Sequence, residues 1–298
     1  MHHVIFVLIC LIWGTSFILM DRASLAFGPF TIGAAGTIGG AAVLAIVWRS
    51  QRLACPLRRS DLPVIMLIVL VGYALPFALQ PYLISKVGHG YIGTIVCLVP
   101  LLTILISIPM LRQYPSKAQL LGVVAGLAFM SIYLIDGLDR KVAPGHLLLA
   151  ASVPTGYALA NCLVKRSMGH LPATPLACIG LALAGVVLLP FAIALERPQP
   201  TPALQTAVVA LLLLAIFSRG TATAFFYSLI HKRGPLYAGM VAYLIPVVVL
   251  TWSWLDDEYI SVKQLVSAAG TLVMVGIVQL DIERRAGHPR SDAAEGAR

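Results

Sequence analysis

The sequence predicts an all-α membrane protein of ten transmembrane helices, arranged as two inverted five-helix repeats. Three observations carry this reading: a composition too apolar for water, ten apolar runs of membrane-crossing length, and an internal match between the two halves of the chain.

Of 298 residues, 59% are hydrophobic and 11% charged, and the mean hydropathy is +0.91. A water-soluble chain carries about 25% charged residues, so the polar surface needed to wrap a core of this size is missing. A soluble enzyme, a disordered chain and a disulfide scaffold are excluded on this ground.

The apolar runs lie near residues 4–20, 29–48, 62–84, 91–111, 117–135, 144–164, 173–194, 205–230, 235–255 and 263–280. Each has the length a helix needs to cross about 30 Å of hydrocarbon, and none alternates in polarity as a barrel strand would. The first run lacks a basic residue before it and a clear small-x-small cleavage site, so it is expected to be retained as a transmembrane helix. Residues 282–298 read as a solvated tail. With the N-terminus inside, fourteen Lys and Arg fall on the cytoplasmic side, among them Arg49, Arg52, Arg58, Arg59, Lys165 and Arg166. Six fall outside, and Arg219 is left inside a span. Positive residues collect on the cytoplasmic side of membrane proteins, so both termini are expected there and Asp256–Glu258 outside. The net charge of +9 is then mostly topological, and nucleic acid is not needed to explain it.

The two halves match. Tyr91-Ile92-Gly93 through Pro100 aligns with Tyr237-Ala238-Gly239 through Pro246 at an offset of 146. Lys86-Val87-Gly88 aligns with Lys232-Arg233-Gly234, and after a one-residue slip Tyr114, Ser116 and Gln119 align with Tyr259, Ser261 and Gln264. Each copy holds five spans, an odd number, so the second enters the membrane from the opposite side. The expected division is 1–140 and 141–281 for the two copies and 282–298 for the tail. Inverted repeats are characteristic of alternating-access carriers, with the binding site at mid-membrane between the copies.

Several motifs take a plainer reading. Gly88-His89-Gly90-Tyr91-Ile92-Gly93 has dinucleotide-binding spacing, but membrane spans flank it and no acid follows about 20 residues on. These glycines are expected to make a tight turn and a close helix approach. Gly36–Gly40 and Gly122–Gly126 are small-residue faces, expected to pack within the chain rather than across a dimer seam. The cysteines Cys10, Cys55, Cys97, Cys162 and Cys178 are scattered, as are the histidines, so no metal site and no cofactor are proposed.

Trp13-Gly14-Thr15-Ser16-Phe17 in the first span is followed by Asp21-Arg22 at its outer end. Pro100 and Pro246 each sit in an Ala/Gly-rich run before a short loop and a Gln-bearing helix. In these features the chain resembles the EamA family of the drug/metabolite transporter superfamily across nearly its whole length. It departs from the family's usual Gly-Glu ending of the fourth and ninth helices, offering Asp257-Glu258 in the second copy but Arg112-Gln113 in the first. The resemblance implies a ten-helix inner- or plasma-membrane exporter of amino acids, metabolites or drugs. It also implies a central cavity lined by helices one, three and four and by six, eight and nine.

Polar and aromatic groups inside spans are the candidate solute ligands. Tyr73, Gln80, Tyr157, Asn161 and Tyr243 stand out, since an amide facing lipid is left unpaired at high cost. At an offset of 144, Tyr157 corresponds to Trp13 and Asn161 to Phe17, which puts Trp13 among the candidates. Pro100 and Pro246, like Pro76 and Pro81, each free a backbone carbonyl and are expected to act as hinges. Arg219 lies 14 residues after Gln205 and 11 before Ile230, too deep for its side chain to reach either interface easily. An Arg at the centre of a helix costs about 2.5–3.5 kcal/mol on the mildest scale, and no acid shares its depth. At the offset of 146 it corresponds to Tyr73. A guanidinium holding an anionic group of the solute explains its presence; structural bonding to carbonyls is the competing reading.

The chain is therefore expected to move a small solute across the membrane in which its lipid-facing helices sit. Every acid falls at a span end or in a loop, so no carboxylate is placed for deep proton coupling. A membrane structural or assembly protein and a membrane-embedded enzyme are the alternatives. The first does not call for an inverted repeat with polar groups at mid-depth. The second lacks a convergence of nucleophile, base or metal ligands.

Overall fold

The computed structural model describes residues 2–112, 114–138, 143–197, 200–255 and 262–287, and every regular element among them is helical. Helix α1 is His2–Ala23 and α2 is Pro29–Gln51. The latter opens on a proline, whose missing N–H is no loss in the first turn, and closes on Arg52 in the left-handed conformation. Helix α3 consists of Leu62–Val69 and Leu75–Val87, joined without a break by a π-helical stretch, Leu70–Ala74. Helix α4 consists of His89–Ile95 and Val99–Leu111, joined by a 3-10 turn at Val96–Leu98. Helices α5 (Lys117–Leu138), α6 (Pro144–Ser167) and α7 (Ala173–Leu195) follow. Helix α8 comprises Leu204–Leu213, a π-helical stretch Leu214–Ala222, and Thr223–Arg233. Helix α9 is Pro235–Gly239 and Val241–Leu255, and α10 is Val262–Gly287.

Each apolar run foreseen in the sequence falls within one of these helices. Among the described residues, six helical runs are long and apolar enough to cross a membrane: His2–Ala23, Pro29–Gln51, Arg59–Lys86, Ala173–Leu195, Leu204–Arg233 and Pro235–Trp252. Shorter apolar stretches are Val96–Leu111, Lys117–Phe129 and Leu265–Val278. Large apolar side chains stand exposed along the outer faces, Leu148, Ile193, Ile46 and Val186 among them, as a lipid-facing surface requires. Helix α10 runs on to Gly287, so residues 282–287 extend a helix rather than begin a tail. Gln113 and Asp256–Glu258 lie outside the described residues.

Two glycines end helices in the same way. Gly88 closes α3 at φ 89°, ψ 155°, with its N–H donating to the Ile84 carbonyl. Gly234 closes α8 at φ 88°, ψ 166°, with its N–H donating to the Ile230 carbonyl. This backbone region is open essentially only to glycine. The G-x-G-x-x-G motif thus begins at a break between two helices.

Helix pairing follows one pattern. Helix α2 packs along α7 and α5 along α10, while α1 lies against α9 and α6 against α4. Small residues set the distances. A Cβ on Gly40 would meet Arg219 Cβ at 2.8 Å and Gly220 N at 2.9 Å, so α2 presses on the π-helical stretch of α8. A Cβ on Gly156 would collide with the Val71 carbonyl, so α6 presses on the π-helical stretch of α3. Gly122 meets Val278 and Gly126 meets Tyr243, which makes both small-residue faces contacts within the chain.

The ends of the bundle are tied by polar groups. Both Glu196 carboxylate oxygens accept from α2's first turn, from Phe30 N at 2.9 Å and Thr31 N at 2.7 Å. A carboxylate there also meets the positive end of the helix dipole. Asp61 accepts from Arg58 N at 2.9 Å and lies 3.0 Å from His170 Nε2. The Ser116 hydroxyl donates to Asp281 at 2.6 Å.

Candidate functional site

A cavity lies among α1, α3, α4, α6, α8 and α9, with about 750 Å³ free of protein atoms when the open space at its mouth is counted. Its wall includes Trp13, Ser16 and Phe17 from α1, and Gly72, Tyr73, Phe77 and Gln80 from α3. Helix α4 gives Val96 and Val99, and α6 gives Tyr157, Ala160 and Asn161. Ser218, Arg219, Thr223, Phe226 and Tyr227 come from α8, and Gly239, Val241, Ala242 and Ile245 from α9.

The wall is built of corresponding positions. Trp13, Ser16 and Phe17 pair with Tyr157, Ala160 and Asn161 at an offset of 144. Gly72, Tyr73, Phe77 and Gln80 pair with Ser218, Arg219, Thr223 and Phe226 at 146, as Val96 and Val99 do with Ala242 and Ile245. Tyr73 and Arg219, paired in the sequence, both stand on π-helical stretches. Such widened turns replace i→i−4 bonds with i→i−5 bonds and recur at functional sites. The Leu75 N–H accordingly bonds back to the Leu70 carbonyl. In α8 the hydroxyls of Thr221 and Thr223 reach the carbonyls of Ile216 and Ser218, each five residues earlier, at 3.0 and 3.3 Å.

Arg219 is 5% exposed. Its guanidinium carbon sits 3.4 Å from the centroid of the Phe77 ring, within range of a cation–π contact. One guanidinium N–H donates to Met20 Sδ at 3.6 Å, and the Tyr157 hydroxyl lies beside the group. Tyr157 donates to Gln80 Oε1 at 3.2 Å, linking α6 and α3. Trp13 holds the widened turn from the other side: its indole N–H donates to the Ser218 carbonyl at 3.2 Å, and its ring lies 4.7 Å from that of Phe226. Tyr73 donates to the Tyr227 hydroxyl at 2.6 Å. Among the described residues, no carboxylate stands at ion-pair distance from Arg219.

The structure thus brings Trp13, Tyr73, Gln80, Tyr157, Asn161 and Arg219 onto one cavity wall and leaves Tyr243 off it. Tyr243 is fully buried, donates to the Val123 carbonyl at 3.4 Å and packs on Gly126; its hydroxyl is used up in joining α9 to α5. Pro100 and Pro246 do not line the cavity either, but Val96, Val99, Ala242 and Ile245, within four residues before them, do. Pro100 stands just after the 3-10 turn at Val96–Leu98. The Ala242 carbonyl, which Pro246 has no N–H to bond, accepts the Cys97 thiol at 2.9 Å. Sequence reasoning missed Phe77, Phe226, Tyr227, Ser218 and Thr223. At the repeat offset Phe226 corresponds to the candidate Gln80, which could have marked it; Phe77 and Thr223 correspond only to each other, Ser218 to Gly72 and Tyr227 to Pro81, so these four carry no such signal.

The model of the EamA-like transporter family matches residues 2–135 and again 144–280. Protein PagO of Salmonella typhimurium (strain LT2) is 22% identical over 255 residues, covering 83% of this chain and 82% of that protein. A solved crystal structure superposes with a TM-score of 0.76 at 19% identity, covering 95% of this chain and 98% of the other, and so shares the fold. The chain belongs to the EamA-like transporter family and is a multi-pass membrane protein.

Proposed function

We propose that this protein is a carrier of the cell (inner) membrane that exports small organic solutes, such as amino acids or drug-like metabolites. In this reading ten helices cross the bilayer as two inverted copies, 1–140 and 141–281, with both termini cytoplasmic, and the cavity opens alternately to either side. Support for the two copies comes from the double match of the family model, the paired cavity wall, the reciprocal helix packing and the equivalent Gly88 and Gly234 breaks. Outward direction rests on the family resemblance.

The observation that carries the solute-binding reading is Arg219, buried in the wall between the copies and held by neutral groups alone among the described residues. A guanidinium offers a planar fork of donors that matches a carboxylate. The aromatic faces of Trp13, Phe17 and Phe226 supply an apolar bed around it, the usual make-up of a small-molecule site. Arg219→Ala and Arg219→Lys proteins, checked for normal folding, are to be compared with the parent in proteoliposome flux of anionic, zwitterionic and neutral solutes. Loss of transport of the solutes that carry an anionic group is the expected result. Wild-type rates in Arg219→Ala for anionic solutes overturn the assignment.

A further inference from the structure

Arg219 brings a permanent positive charge to the centre of the chain, because a guanidinium does not lose its proton in proteins. What surrounds it is uncharged: the Phe77 ring at 3.4 Å, the Met20 sulfur at 3.6 Å and the Tyr157 hydroxyl. The described acids whose contacts are given are engaged elsewhere, Asp21 beside Arg22 at 3.9 Å, Asp61 with His170, Glu196 with the first turn of α2, and Asp281 with Ser116. Dipoles and a π face orient a cation but leave its net charge in place. Closing protein around such a charge, with water expelled, is strongly opposed. An anionic group against the guanidinium removes the opposition, because the closed site is then neutral.

We propose that this charge makes the protein an exchanger. The cavity passes readily from one membrane face to the other only while an anionic solute neutralises Arg219, so the empty protein waits where it released its load. Outward movement of one solute is thereby coupled to inward movement of another. The inference rests on the solute-binding reading of Arg219 given above and on alternating access.

The test needs no knowledge of the solute. Ala160, 4% exposed and part of the cavity wall, is replaced by cysteine in the full chain. The protein is reconstituted in liposomes of one orientation in a buffer free of chloride and of small carboxylates. Dextran sulfate, too large to enter the cavity, is the counter-anion, and a membrane-impermeant cationic methanethiosulfonate is applied from either side. The chain without the added cysteine reports any reaction of the native thiols. With Arg219 present, the fractions labelled from the two sides are expected to add up to one population, neither side reaching completion at the expense of the other. With Arg219→Gln, labelling from either side is expected to run to completion, at a rate at least about tenfold higher from the disfavoured side. Arg219→Met serves as the second neutral variant if Arg219→Gln does not fold. Labelling of the Arg219 protein to completion from both sides, at the rate of the neutral variant, overturns exchange. The solute-binding reading fails separately, on undiminished transport of anions by Arg219→Ala.

Discussion

Gly36 and Gly40 sit one turn apart on the face of α2 that meets α8, yet they should respond oppositely to the same substitution. A methyl on Gly36 finds its nearest neighbour, Arg219 Cγ, at 3.6 Å, an ordinary van der Waals contact. Gly36→Ala should therefore be neutral or stabilising, by up to about 1 kcal/mol from helix propensity. A methyl on Gly40 meets Arg219 Cβ at 2.8 Å, Gly220 N at 2.9 Å and Arg219 C at 3.0 Å. These are the root of one side chain and the backbone of the π-helical stretch, neither of which can swing aside. Overpacking of this kind costs about 1–3 kcal/mol, which the same propensity gain offsets only in part. The two variants should thus differ by about 1–3 kcal/mol, read as a lower midpoint for Gly40→Ala in thermal unfolding of the detergent-solubilised protein. Because the clash falls on Arg219 itself, Gly40→Ala should also lose transport while Gly36→Ala keeps it. Equal stability and equal transport in the two variants would refute the packing of α2 on α8 described above.

Other expectations follow from single contacts. Gly88→Ala and Gly234→Ala, at φ 89° and 88°, should each cost about 1–3 kcal/mol by thermal unfolding, whereas Gly145→Ala, with open space around it, should cost nothing. Glu196→Gln removes the charge and one of two acceptors at the start of α2 and should destabilise by about 0.5–2 kcal/mol in the same measurement. Trp13→Phe keeps a ring against Phe226 but loses the bond to the Ser218 carbonyl. It should lower stability by about 0.5–1.5 kcal/mol and lower flux through reconstituted protein by a larger factor.

Much of this fold is legible in the sequence because a membrane imposes length and apolarity on each helix, and those can be counted. The pairing of Tyr73 with Arg219, and of Trp13 with Tyr157, was legible for the same reason: a constant offset carries one position onto its counterpart. The π-helical stretches Leu70–Ala74 and Leu214–Ala222 were not legible, since one extra residue per hydrogen-bonded ring leaves no mark in an apolar run. Phe77 and Tyr227 were hidden because an aromatic residue facing a cavity looks, in sequence, like one facing lipid or a neighbouring helix. Tyr243 shows the converse. Its hydroxyl demands a partner at mid-membrane, and the Val123 carbonyl meets that demand as well as a solute would.

The most direct test of the account is a structure of the full chain in a lipid nanodisc with a transported anionic solute bound. The solute's anionic oxygens should lie within about 3.2 Å of the Arg219 guanidinium nitrogens, with its body between Trp13 and Tyr157. A solute seated elsewhere, with Arg219 left against Phe77, Met20 and Tyr157 alone, would contradict it.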